Sequence, residues 1–193
     1  MGRPRDSRVD EAILTATREL LAHSGYAGLT MDAVAERAGI GKSAIYRRYA
    51  TKQDMVFAAA IHVPDLPASP DTGTLEGDLA VLVQEIVDHL TAPAATSAVL
   101  GLLADIGTSP DLAVHFHQTF VVREQAGIRG LLERAVARGE LRTLPDVSLV
   151  HALVTGPVFT TLYLQHRTPD GLAAQLGRLI AAALTTEPAP PRP

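Results

Sequence analysis

The chain has no cysteine and no tryptophan, only 4% aromatic residues, and just two lysines, Lys42 and Lys52. Without cysteine there are no disulfides, thiolate metal sites or cysteine nucleophiles, a composition compatible with a reducing compartment. Without tryptophan, a large planar stacking site has little to be built from. The N-terminus, MGRPRDSRVDEA, lacks the apolar stretch of a secretory signal. The longest apolar run, around 149–164, contains His151, Gly156 and Pro157 and ends at Gln165, so no run is expected to reach a membrane span. Those absences predict a cytoplasmic protein with no membrane partner. GxSxG, P-loop, Rossmann and HExxH spacings are also missing. His115 and His117 fall about 200° apart on a helix and do not converge on one ion, while His62, His89, His151 and His166 are isolated. No catalytic residue, metal ligand or cofactor is therefore expected.

The chain does have length and grease. Its 193 residues, 47% hydrophobic, can bury a core in one or two domains. Nearly all of it reads as helix, with no strand-like alternation and no internal repeat. Ser7 is the expected cap of a first helix whose apolar residues Val9, Ile13, Ala16 and Leu20 recur at helical spacing, and Gly25 is its expected end. Thr30 to Gly39 frames a short helix, a second runs from Lys42 to about Tyr49, and Thr51 with Asp54 caps a fourth reaching about His62. The proline-rich stretch VPDLPASPDTG, 63–73, is the expected boundary. Beyond it helices are predicted near 74–91, 94–106, 110–138, 146–166 and 169–185. Ser109-Pro110 and Thr168-Pro169 mark two of the starts, and Gly127 and Gly130 are expected to let 110–138 bend. The tail 187–193, EPAPPRP, is expected to be disordered.

The net charge of −4 conceals a segregation of sign. Residues 1–63 carry nine Lys/Arg against seven Asp/Glu, and the remainder eight against fourteen. A basic surface on an otherwise acidic body is the footprint of contact with a polyanion.

That basic end contains GYAGLTMDAVAERAGIGKSAIYRRYATK, residues 25–52. Two short helices joined by a glycine turn form a helix-turn-helix, whose second helix enters a DNA major groove. On that helix Ile45 and Tyr49 share one face and suit packing. Ser43, Ala44 and Arg47 face away, flanked by Tyr46 and Arg48. Arg47 has the fork to bond guanine O6 and N7. Tyr46, Arg48, Lys52 and the cap Thr30 suit phosphates.

In these residues the segment resembles the N-terminal domain of TetR-family transcriptional regulators: Gly25-Tyr26, Leu29-Thr30, Val34-Ala35, Ala38-Gly39-Ile40, Ile45-Tyr46, Tyr49 and Lys52 match across about 9–57. The resemblance implies an all-α fold, with an N-terminal three-helix DNA-binding domain (1–51), a connecting helix and loop (52–73) and a C-terminal helical ligand-binding and dimerisation domain (74–186). It implies that Thr30, Tyr46 and Lys52 hold phosphates, and that Lys42, Ser43, Arg47 and Arg48 lie near base edges. Two positions depart from the family's pattern. Gly41 replaces a common serine cap, at a cost of a few tenths of a kcal/mol or so, and Ala44 replaces a common threonine, removing one phosphate contact. Arg138-Gly139-Glu140-Leu141, Asp146 and Gly156-Pro157 resemble one C-terminal subgroup of the family, which implies no particular ligand.

The 146–166 helix is apolar nearly all round, so it needs more than one packing partner. With 169–185 it is expected to form an isologous four-helix dimer interface; burial within a monomer is the alternative. Pro157, after Gly156, is expected to kink it. Phe116, Phe120, Phe159 and Tyr163, two pairs at i, i+4, are the aromatics available to a ligand pocket, though each reads first as ordinary core. The sequence thus predicts a homodimeric DNA-binding repressor on a pseudo-palindromic double-stranded operator, released by a small-molecule effector. An activator, a ligand-independent regulator, or a helical enzyme or carrier with a vestigial DNA head are the rivals.

Overall fold

A computed structural model describes residues 4–60 and 71–186, and all regular structure in them is helical. The helices are α1 (Pro4–Gly28), α2 (Met31–Ala38), α3 (Lys42–Tyr46), α4 (Lys52–Ala60), α5 (Leu75–Thr91), α6 (Pro93–Thr108), α7 (Pro110–Phe116), α8 (Val122–Ala137), α9 (Val147–Phe159) and α10 (Leu172–Thr185). Two π-helical turns, His117–Val121 and Thr160–Leu164, follow α7 and α9. The expected end of the fourth helix at His62, most of the 63–73 loop and the tail lie outside the described residues.

The chain forms two compact units. The first comprises residues up to 64 together with 89–117, so α6 and α7 group with the N-terminal head rather than with the helices that follow them. Its core joins Ile13 and Leu21 of α1, Val34 of α2, Ile45 of α3, Met55 of α4 and Ala98 of α6, all fully buried. Alanines at 94, 95 and 98 let α6 lie close along α1 and α4.

The second unit comprises residues 65–88 and 118–193. There α9 packs on α8 and α10. Gly177 of α10 meets α5 so closely that a Cβ would lie 2.8 Å from the Ala80 amide nitrogen. Backbone cannot yield as a side chain can, so Gly177→Ala is expected to cost about 1–3 kcal/mol by overpacking, read as a fall in thermal midpoint. The unit's polar clasp is Arg138, which reaches Asp78 (2.9 Å), Glu140 (2.7 Å) and Asp71 (3.2 Å). Asp78 is fully buried and also accepts from the Thr72 amide (2.6 Å) and hydroxyl (2.8 Å). Glu140 accepts from the Leu75 amide (2.7 Å), tying the start of α5 to the turn after α8.

Several expected boundaries move. Ser7 lies inside α1, which already runs from Pro4. Gly25 does interrupt α1, with φ 66 and ψ 179. The recognition helix is shorter than expected, passing into a turn at Arg47 and Arg48. The 110–138 helix runs on without a break to Ala137, passing through the π-turn His117–Val121, and Gly127 and Gly130 sit inside regular α8. Ser109 caps α7 as expected, its hydroxyl accepting from the Leu112 amide at 3.3 Å. Thr168 caps nothing: its hydroxyl bonds Asp170, and α10 starts after Gly171 at φ 70. The apolar run is also less interrupted than expected. Val147–Leu164 is helical throughout, through His151 and Pro157, and reaches 18 residues at mean hydropathy 1.5 with 28% of it buried.

Candidate nucleic-acid interface

The head is assembled from short-range caps. The Thr30 hydroxyl accepts from the Ala33 amide (3.1 Å), starting α2. Gly39, in the left-handed region at φ 66 and ψ 31, ends it and lets the chain turn sharply. Gly41 adopts the extended cap conformation without a side-chain bond, so α3 starts uncapped by a hydroxyl. Thr51 and Asp54 form a reciprocal capping box on α4, both bonds 3.1 Å.

A five-residue helix has no stability of its own, so α3 depends on what grips it. Ile45 is 0% exposed, a burial worth about 1.5–3 kcal/mol, and Tyr49 packs half-buried against the same cluster. Burial also pushes the Tyr49 phenol up. Arg48 folds back: its guanidinium pairs with Asp10 of α1 and donates to the Ala44 carbonyl at 3.2 Å, leaving its side chain 13% exposed. The two residues before it face solvent instead. Tyr46 is 54% exposed, and Arg47 is exposed with no ion pair among the described residues.

The eight sequence candidates therefore divide. Lys42, Ser43, Tyr46 and Arg47 form an exposed cationic face, with Ala44 half-buried beside it. Lys42 pairs with Asp32 at 2.6 Å, both side chains mostly exposed. The bond to Asp32 holds its ammonium above the ordinary value, yet exposed pairs of this kind contribute little. Arg48 instead is a brace from α3 to α1. Thr30 spends its hydroxyl as a cap while remaining exposed. Lys52 is half-buried: its Nζ donates to the Tyr26 carbonyl (2.6 Å) and sits 4.2 Å from the Tyr26 ring centroid. Desolvation lowers its pKa, against the pull of Asp105.

Long-range contacts that the sequence did not disclose bind this head to α6 and α7. The Tyr26 hydroxyl donates to Asp105 of α6, and Gln53 of α4 donates to the same oxygen at 2.7 Å. Burial, then the bond and charge of Asp105, push the Tyr26 phenol above its ordinary range. The bonds from Tyr26 and Gln53 hold the Asp105 carboxyl below its own. His115 of α7 reaches Asp54 at 2.7 Å, and Phe116 meets Phe57 edge to face with centroids 4.6 Å apart.

The four pocket candidates fall in both units. Phe116 is the α7 contact just named. In the second unit Phe120 is buried in its π-turn, and Phe159 and Tyr163 form a ring pair at 5.1 Å. Two clefts of that unit are lined by other residues: one by Thr74, Ala80, Glu140 and Arg178 among others, the second by Gln125, Arg129 and Asp146 among others.

Comparison with known proteins agrees with this geometry. Residues 13–59 match the bacterial regulatory proteins of the tetR family, and residues 69–183 match the tetracyclin repressor-like C-terminal domain. The chain is 30% identical over 162 residues to the uncharacterized HTH-type transcriptional regulator YdeS of Bacillus subtilis, spanning 83% of this chain and 81% of that one. It is 31% identical over 176 residues to the uncharacterized HTH-type transcriptional regulator Rv1556 of Mycobacterium tuberculosis, spanning 90% and 86%. Among solved structures, the TetR family transcription regulator SCO0332 superposes with a TM-score of 0.73 at 25% identity, covering 93% of this chain and 99% of that one. With an exposed cationic recognition helix at one end and family matches over both parts, the chain belongs to the TetR family of DNA-binding transcriptional regulators.

Proposed function

We propose that the protein is a repressor that binds a pseudo-palindromic operator as a homodimer and is released by a small-molecule ligand. The observation that carries the DNA reading is Arg47, exposed and unpaired among the described residues two positions from the fully buried Ile45. The helix is gripped on one side and offers a guanidinium fork on the other. Arg47 reads guanine, while Lys42, Ser43, Tyr46, Thr30 and Lys52 hold backbone.

Pairing is supported by α9 and α10. Leu149 and Leu179 are each 57% exposed, and Leu153 and Leu164 are exposed too. A second copy covering those faces removes apolar surface from water and yields a two-fold axis. Two recognition helices then meet half-sites about 34–36 Å apart or a multiple of that.

Ligand release is supported by the attachment of α4 to α6 and α7 through Asp105 and His115. A ligand that binds more tightly to a different setting of those helices shifts the head away from its operator spacing. In this reading the ligand binds within the second unit, where Phe120, Phe159 and Tyr163 are the aromatic candidates. The test is a titration of the full chain against DNA flanking its own coding sequence, with and without small molecules that co-purify from cell extract. Salt-sensitive binding weakened by one of them is the expected result. Strengthened binding overturns release by the ligand, and unchanged binding favours a ligand-independent regulator.

A further inference from the structure

Gly101 and Asp105 are four apart on α6 and so share one face. Both meet Tyr26. A Cβ at position 101 would overlap the Tyr26 ring, with Cγ at 2.9 Å, so the ring lies directly on the α6 backbone. Its hydroxyl then lands on Asp105. The same carboxylate oxygen accepts from Gln53, the residue after Lys52. Lys52 is thus enclosed on two sides by groups that Asp105 anchors: its Nζ rests against the Tyr26 ring and carbonyl, and its chain neighbour is bonded to Asp105 directly. An ammonium has three donors, and the Tyr26 carbonyl takes one, leaving two for a phosphate.

We infer that Asp105, seated on α6, is a positioning residue for DNA binding: through Tyr26 and Gln53 it holds the Lys52 ammonium where a backbone phosphate can meet it. The inference rests on the reading of Lys52 as a phosphate contact. Freezing a long flexible side chain before binding removes an ordering cost that the complex otherwise bears. Removing the anchor leaves the lysine present but unordered, so the loss is of affinity and not of base preference. Gly101 gains a reason in the same geometry, since any side chain there displaces the ring.

The experiment is a double-mutant cycle on the full chain. Operator affinity is measured across a salt series for the wild type, Lys52→Ala, Asp105→Asn, Tyr26→Phe and the double variants carrying Lys52→Ala. Lys52→Ala removes the lysine from both subunits of the dimer and is expected to reduce the salt slope by about 1.8, the signature of two phosphate contacts. Asp105→Asn and Tyr26→Phe are each expected to weaken binding roughly three- to tenfold, with the ratio of specific to nonspecific affinity unchanged. In the Lys52→Ala background neither should weaken it further. Tyr26→Phe deletes one oxygen from an otherwise intact packing unit, which keeps the test open if Asp105→Asn lowers the folded fraction. Losses that persist in the Lys52→Ala background, or folded variants that bind as the wild type does, overturn the positioning role while leaving the phosphate contact standing. An unchanged slope in Lys52→Ala itself refutes the phosphate contact, and the inference with it.

Discussion

Arg47→Ala should lower operator affinity by about 30- to 2 × 10⁴-fold, the equivalent of two bidentate base contacts, one from each subunit, and leave affinity for unrelated DNA within a few-fold. Arg47 follows the last residue of α3 and is not engaged by any acidic partner among the described residues, so its fork is available without first breaking a bond. Arg48, one residue later, is braced against Asp10, and its removal should act through the grip on α3 instead. Arg47→Lys separates charge from shape. It retains the cation, so nonspecific binding persists, but a point charge cannot reproduce the paired bonds to O6 and N7. Competition binding of operator against scrambled DNA at fixed salt reads the ratio. An equal fall on both DNAs would make Arg47 a phosphate contact.

Arg138→Ala is the second large effect, and it falls on stability. The variant strands a fully buried Asp78 carboxylate and frees Glu140 and Asp71, at a cost of about 3 kcal/mol. For a chain of this size that is a fall in melting midpoint of about 6–12 °C. Acid should reveal the same clasp. Desolvation pushes the Asp78 carboxyl up, but the bonds from Thr72 and Arg138 outweigh it and leave it below the ordinary value. The Leu75 amide, with Arg138, likewise lowers Glu140. Both groups are depressed in the folded state, so their contribution is complete above the unfolded carboxylate values near ~4 and is lost as pH falls through the folded ones. Wild-type stability should therefore drop on acidification below about pH 4, and less steeply in Arg138→Ala. Thermal unfolding across a pH series measures both. A variant as stable as the wild type would show the clasp to be dispensable.

What the sequence disclosed follows the distance over which each signal acts. Thr30, Gly39 and the Thr51–Asp54 box bond within a few residues of themselves, so cap chemistry marks them in the chain. Ile45 and Tyr49 show their inward face by spacing alone. The brace from Arg48 to Asp10 joins residues 38 apart, and the Tyr26–Asp105 bond joins residues 79 apart. No local pattern foretells such pairs, so neither the partner of Arg48 on α1 nor the surroundings of Lys52 could be read from the chain. Gly101 was the one available hint, since a glycine inside a helix often marks close packing. Similarly, Thr168-Pro169-Asp170 has the composition of a helix start, but the Thr168 hydroxyl is taken by Asp170 and α10 begins after Gly171. The membrane-length run 147–164 went unrecognised because His151 and Pro157 interrupt composition without interrupting the helix.

The most direct measurement is a hydroxyl-radical footprint of the full chain on the DNA flanking its coding sequence, compared with Arg47→Ala at the same concentration. Two α3 helices on a two-fold dimer predict two symmetric protected stretches about 34–36 Å apart or a multiple of that, both lost in the variant. A single protected stretch, or a footprint that Arg47→Ala leaves unchanged, would contradict it.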